Sequence, residues 1–297
     1  MINRIVKNGA LENSYFERMA GSIGDKKKLI GFLPPVTSHY RPVILDVGAG
    51  GGELSHVLHE MGYEVYALDA NEDALTRIRT NYPGVQTIQA LANHVDDQDK
   101  KFDAIICSSI LHEVFSAGDD VASFGHISSV GRALKSFRNA LKDGGRLIIR
   151  DGVMPDNHRD IAFVEILDAD ESVVEDYLKI SVFSNGTAHE DSGSIIRLNK
   201  VGTRLFQGSI RSVFEFVMTY NWGVSNYHRE ANEIYGVFTF SDYPKYVAQF
   251  GYELVYQDRY SLPEYEHHLK SRVKMMDEDM NEIPMFYTNA IWVYEKQ

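Results

Sequence analysis

Three groups of residues have the types and spacing that chemistry needs. The first is the run Asp46-Val47-Gly48-Ala49-Gly50-Gly51-Gly52-Glu53, answered 23 residues after Asp46 by Asp69. Glycines let a backbone approach a ligand closely, and a carboxylate accepts hydrogen bonds from a diol. The second is Ile110-Leu111-His112-Glu113-Val114, where His112 can take a proton from a hydroxyl or amine near neutral pH and Glu113 can brace the following loop. His112 reads equally well as a ring that hydrogen-bonds a backbone carbonyl or stacks on a ligand. The third is Tyr220-Asn221-Trp222-Gly223, followed by His228-Arg229-Glu230, Glu233 and Tyr235-Gly236. Its aromatics suit a flat or apolar group and Arg229 or His228 an anion; the alternative is a surface helix with an Arg229–Glu233 ion pair and an aromatic staple. No pair among the 11 histidines has ligand spacing, so no metal site is expected. Cys107, the single cysteine, lies in an apolar run and reads as a small core residue.

The elements that must position these groups alternate. Val43 to Val47 is a buried-strand run, Gly51 to Met61 a helix, Glu64 to Leu68 a second strand and Asn71 to Thr80 a second helix. Val85 to Gln89 and Phe102 to Ser108 are further strands, the latter apolar enough to be buried on both faces. Ile127 to Leu141 is a helix ended by Gly144-Gly145, and Arg146 to Arg150 is a fifth strand. Such alternation needs right-handed crossovers and a parallel sheet covered on both faces, a Rossmann-like doubly wound α/β domain. After Met154-Pro155 the alternation stops. Helical patterns near Ser172 to Phe183, Ser209 to Tyr220 and Asn226 to Tyr235, with the polar Ser184 to Ser194 between the first two, read as a helical insertion. A helix from Ser241 to Phe250 and strands Glu253 to Tyr260 and Asn289 to Glu295 complete the sheet, the last two pairing antiparallel at one edge.

The glycine turn lies where doubly wound sheets bind nucleotide-like ligands, at the carboxyl ends of the strands. A dinucleotide needs a third glycine where Glu53 stands, and its pyrophosphate would face Asp46 and Glu53. Two carboxylates repel pyrophosphate. They tolerate a cofactor with ammonium and sulfonium charges and no phosphate, which describes S-adenosyl-L-methionine. In VILDVGAGGGELS, EVYALDAN, FDAIICSSILHEV and LKDGGRLIIRDG, and again in FTFSDYPKYVAQFGYEL and the final strand, the sequence resembles the class I S-adenosylmethionine-dependent methyltransferases. The resemblance implies a seven-stranded sheet with an antiparallel last strand. It implies that Gly48, Gly50 and Gly52 line the methionine part of the cofactor, that Asp46 holds its amino group through the loop, and that Asp69, with Ala70 beside it, holds the ribose. Ser108, at the end of the fourth strand, joins the cofactor set. The family commonly has Gly-Asp-Ala after the third strand, where this chain has Gln89-Ala90-Leu91. The usual acid for the adenine amine is absent, which leaves Leu91, Ala92 or Asn93 to line the adenine.

Composition narrows the partners. The 297 residues are 44% hydrophobic and 24% charged, which excludes a disordered or fibrous chain, and no apolar run is long enough to span a bilayer. With 42 acidic against 30 basic residues the net charge is −12, which disfavours nucleic acid. The N-terminus lacks the pattern of a secretory signal and the lone cysteine cannot form an internal disulfide, so a cytoplasmic location is expected. The expected organisation is a helical cap over 1–40, a cofactor-binding core over 41–153, a mainly helical substrate lid over 154–238 and completion of the sheet over 239–297. Tyr15, with Phe16 and Arg18, would close the cleft from the cap, and Trp222, His228, Arg229 and Tyr235 from the lid. The reading is methyl transfer to oxygen or nitrogen of a small molecule by a monomer or homodimer. RNA or protein methylation, and a non-catalytic cofactor-binding interaction protein, are the alternatives.

Overall fold

The computed structural model describes residues 23–118, 125–185 and 196–297. In chain order, α1 is Ile23–Lys26, continued by a 3-10 turn over Lys27–Phe32, β1 is Val43–Val47, α2 Glu53–Glu60, β2 Glu64–Asp69, α3 Glu72–Asn81, β3 Gln86–Gln89 and β4 Phe102–Ser108. Then come α4 Leu111–Ala117, α5 Ile127–Ala140, β5 Leu141–Gly152, β6 Ile161–Ile166, α6 Ser172–Ile180, β7 Leu198–Gly202, β8 Leu205–Ser209, α7 Ile210–Asn221 and α8 Tyr227–Glu230. The chain ends with α9 Asp242–Ala248, β9 Tyr252–Tyr260, α10 Pro263–Leu269, β10 Val273–Met276 and β11 Asn289–Lys296.

Seven strands form one sheet in the order β3-β2-β1-β4-β5-β11-β9. The pairs from β3 to β5 are parallel, and β11 runs antiparallel to both β5 and β9. The order reverses at β1, where β2 pairs on one side and β4 on the other, and such a switch opens a crevice beyond the carboxyl ends of the strands. The sequence dictates this layering: β1 is buried along its whole length. One face packs under α2 and α3 through Leu54, Leu58, Leu75 and Ile78, the other under α5 through Leu134 and Phe137. Among the described residues no helix is long and apolar enough to cross a membrane.

Two readings change. Gly144-Gly145 does not end α5. Leu141 already has extended dihedrals, and Gly144, at φ +70°, lies in a bulge of β5 between Leu141, opposite Phe102, and Arg146, opposite Ala104. Nor is the insertion helical throughout. Strands β6, β7 and β8 join β10 in a second, antiparallel sheet ordered β10-β6-β8-β7. Because β10 comes from beyond residue 239, the C-terminal stretch completes both sheets. The β7–β8 hairpin turns at Thr203-Arg204 with Arg204 at φ +57°, without the Asn-Gly or Asp-Gly pair that marks such turns in a sequence. Most of the polar stretch Ser184 to Ser194 lies outside the described residues.

Candidate active site

The site grows from the turn after β1. Gly48 and Ala49 donate their N–H groups to the Leu68 carbonyl of β2 at 2.8 and 3.1 Å, which folds the loop across the crevice. Gly48 has φ +67°, and a Cβ there would come within 2.6 Å of Ile110 Cδ1, so only glycine lets the loop lie against the segment that carries His112. Gly50, at φ +55°, has nothing within 4 Å of where a Cβ would be, which leaves the loop open on its ligand side. Asp69 accepts from Gly50 N at 3.0 Å and Asn71 N at 2.8 Å. A carboxylate has about four acceptor positions, so room remains for a diol. Burial pushes its pKa up against the N–H groups of Asn71, Gly50 and Ala70.

Asp46, 3% exposed, accepts from Ser55 Oγ at 2.7 Å. Burial, with repulsion from Asp69 and Glu53, pushes its pKa up to about 6, although Ser55 and Lys26 favour the charged form. Lys26 feels the converse: burial lowers its pKa while Asp46 and Glu53 favour its charge. The α1 segment that carries it is fastened to β5, because Asp25 accepts from Arg150 Nε at 2.5 Å and from Tyr260 Oη at 2.8 Å. Ser108 Oγ is buried and has no hydrogen-bond partner among the described residues. Leu91 is 42% exposed, the Ala92 side chain is buried, and Ala70 is exposed beside Asp69.

The chain leaves β4 through Ser109, at φ +58°, a conformation that costs a non-glycine residue energy and here turns the backbone so that His112 falls in the first turn of α4. Arg150 secures this turn, donating from Nη1 to Ser109 Oγ at 2.7 Å while its carbonyl accepts from Ser109 N, also at 2.7 Å. Beside it, Asp151 at the end of β5 accepts from His112 N at 3.0 Å and pairs with His112 Nδ1 at 2.5 Å. The other ring nitrogen, Nε2, faces Glu233 Oε2 at 3.5 Å. The imidazole stacks on Tyr235, centroids 5.5 Å apart and planes inclined by 24°. Burial opposes a charge on His112, yet Asp151 and Glu233 outweigh it and hold its pKa well above 6.5.

Ligand-type atoms of His112, Glu113 and Glu233 lie within 4.8 Å of one another, so imidazole and carboxylates do meet although no sequence spacing announced it. Glu113 is pushed up to about 8 by burial and by Glu233, and Glu230, whose carboxylate accepts from Tyr235 Oη, is likewise pushed up to about 8 by burial and Glu233. Burial also raises the Cys107 thiol pKa well above its usual value, as befits a core residue.

Of the four residues expected in the lid, Tyr235 reaches His112. Trp222, at the end of α7, packs against the Phe214, Met218 and Tyr235 cluster instead. His228 is exposed, its Nδ1 3.0 Å from the Ser225 carbonyl, and Arg229 is partly exposed. The expected helix over Asn226 to Tyr235 shrinks to α8, because the N–H groups of Ile234, Tyr235 and Gly236 go to side chains of other elements. Glu233 therefore lies beyond the helix and faces His112 Nε2. Tyr15, Phe16 and Arg18 fall outside the described residues. Sequence reasoning missed Asp151, and it named Glu230 and Glu233 without placing them beside His112. The available signal was Arg150-Asp151, two charges closing an apolar strand.

The sequence profile of the family described as Methyltransferase domain matches residues 45–149. A ubiquinone biosynthesis O-methyltransferase of Rickettsia felis is 33% identical over 119 residues, 37% of this chain and 48% of that protein. An uncharacterized methyltransferase of Synechocystis is 36% identical over 92 residues, 31% of this chain and 42% of that protein. The chain thus matches about half the length of these curated relatives. The fold is also that of an S-adenosylmethionine-dependent methyltransferase from Mesorhizobium loti, with a TM-score of 0.52 and 16% identity over 91% of this chain and 96% of that one. The reversed strand order, the glycine turn with Asp69 opposite and the matched segment agree: residues 45–149 match a methyltransferase domain, on a fold shared with S-adenosylmethionine-dependent methyltransferases.

Proposed function

We propose that this protein transfers a methyl group from S-adenosylmethionine to an oxygen or nitrogen of a small molecule, with His112 as the proton acceptor. The observation that carries this reading is the Asp151–His112 pair beside the glycine turn, at the carboxyl ends of β4 and β5. The names of the ubiquinone biosynthesis relatives favour oxygen.

The residues present fit the cofactor. Asp69 offers its remaining acceptor positions to the ribose, and the loop from Gly48 to Gly52, with Asp46 behind it, surrounds the methionine part. The unpartnered Ser108 hydroxyl and the open side of Gly50 leave polar and spatial room there. Bound S-adenosylmethionine supplies an electrophilic methyl on a sulfonium. The protein holds the acceptor at attack distance and removes its proton. Asp151 fixes the His112 ring and keeps a proton on Nδ1, so Nε2 receives the proton once the acceptor replaces Glu233 there. Tyr235 shields the other side of the ring, and Glu113 braces the start of α4. Residues 154–238 act as the substrate lid over the 41–153 core, with 1–40 as the cap.

Incubation with methyl-labelled S-adenosylmethionine and a panel of small phenols and amines tests the proposal. Label transfer to at least one member, lost in His112→Ala while S-adenosylhomocysteine still binds, is expected. Binding without transfer to any acceptor between pH 6 and 10, a window about the histidine's ordinary pKa and above, overturns catalysis.

A further inference from the structure

The stretch Glu233–Gly236 carries two groups that face His112, yet no regular element holds it. Buried side chains do. Ile234 N donates to Ser116 Oγ at 2.8 Å, Tyr235 N to Glu215 Oε2 at 2.8 Å and Gly236 N to Glu215 Oε1 at 3.0 Å. Glu215, in α7, is 0% exposed, and Ser116, in α4, is 4% exposed. Two N–H groups converging on one side chain require two acceptors and no donor, which a carboxylate offers and a carboxamide does not. Ser116 Oγ also donates to the His112 carbonyl at 2.7 Å, so one hydroxyl ties the histidine's own backbone to this stretch.

Close backbone contact fixes the stretch from behind. A Cβ on Gly236 would lie 2.9 Å from Met154 Cα, and one on Gly152 would strike the Tyr235 carbonyl, so the segment rests on the end of β5 next to Asp151.

We propose that Glu215 and Ser116 are positioning residues: by clamping Glu233–Gly236 against α4 and β5 they set the proton affinity of His112. The proposal rests on reading His112 as the proton acceptor. The groups that face the ring are Asp151 from β5, Glu113 from α4, Glu230 from α8, Glu215 from α7, and Glu233 and Tyr235 from the clamped stretch. Glu113 and Glu230 are held as largely neutral acids, so the carboxylates of Asp151 and Glu233 favour the imidazolium most. Asp151 is fixed by its own strand. Glu233 depends on the clamp.

The test is an NMR titration of the His112 ring in the full-length protein, labelled at histidine Cε1 and assigned by the resonance that disappears in His112→Gln. It needs neither cofactor nor acceptor, so its outcome is independent of whether methyl transfer occurs. In Glu215→Gln the titration midpoint falls by about one unit, a tenfold loss of proton affinity. Ser116→Ala shifts it the same way, and because that change removes no charge its shift reports position alone. Unmoved midpoints in both folded variants overturn the proposal. So does a shift in Glu215→Gln with none in Ser116→Ala, which would be a direct effect of the lost charge. If Glu215→Gln does not fold, Ser116→Ala decides.

Discussion

Asp151 and His112 lie 39 residues apart and are joined twice, the backbone N–H of His112 at 3.0 Å from Oδ2 and its Nδ1 at 2.5 Å from Oδ1. The first bond fixes where α4 begins and the second which way the ring turns. A carboxylate so placed favours the imidazolium, and a ring that keeps its proton at neutral pH accepts another only after losing it. With His112 as the proton acceptor, the methylation rate should therefore rise with pH above 6.5. In Asp151→Asn the charge is gone and the histidine loses its proton more readily. The rising limb should move down by about one to two pH units, the equivalent of about 1.5–3 kcal/mol for a hydrogen bond to a charged group. The plateau rate should fall as well, since the ring is less well held. The pH profile of kcat/KM is the measurement, and an unshifted limb would exclude His112 as the titrating group.

Stability should carry the mark of the acidic cluster. Glu113 and Glu230 are both pushed up to about 8 from 4.5, so the fold favours their neutral forms. The unfolded chain releases those protons first as pH rises. The stabilisation is present below about pH 4.5 and lost progressively toward pH 8. His112, also raised, acts in the same direction above pH 6.5. Melting temperature should thus decline from pH 5 to 8, and Glu113→Gln or Glu230→Gln, permanently neutral, should flatten that decline. An equally steep decline in both variants would mean that other groups produce it.

Asp69 separates cofactor binding from folding. It lies at the end of β2, accepts two loop N–H groups and has acceptor positions to spare. Asp69→Ala should weaken S-adenosylhomocysteine binding by about 1.5–3 kcal/mol in calorimetry, with little loss of fold. Thermal shift with NAD should be negligible beside that with S-adenosylhomocysteine, because the carboxylates of Asp46 and Glu53 flank the glycine turn and repel a pyrophosphate seated there. Equal shifts would remove the electrostatic argument.

Much of the core was legible because it is local. Most strands from Val43 to Arg150 are short apolar runs closed by turn residues, β3 with its Gln86-Thr87-Ile88-Gln89 being the polar exception, and the Asp46-to-Glu53 loop is contiguous. The insertion was less legible. The buried-and-exposed alternation of Ile161–Ile166 marks a strand, but its partners stand at 205–209 and 273–276, and nothing local joins them. Likewise His112 could be picked out from its place after β4, whereas Asp151 and Glu233 meet it only through β-pairing and through a loop held by Glu215. Residues that owe their position to contacts distant in sequence leave little local pattern.

The residues proposed for the lid make the last prediction, and the fold divides them. Tyr235 is 6% exposed and lies against the His112 ring, so Tyr235→Ala should impair methyl transfer while leaving S-adenosylhomocysteine affinity near that of the unaltered protein. Trp222 packs on Phe214, Met218 and Tyr235, and its alanine variant should lower stability first. The ring is only partly buried, so the loss should fall short of the roughly 3–5 kcal/mol typical of a buried aromatic, and activity should track the folded fraction. His228 is exposed, and His228→Ala should change stability by no more than about 0.5 kcal/mol. Melting curves read beside label transfer distinguish these cases. A Trp222→Ala protein that melts normally yet transfers no methyl would put the indole on the substrate rather than in the insertion's own core.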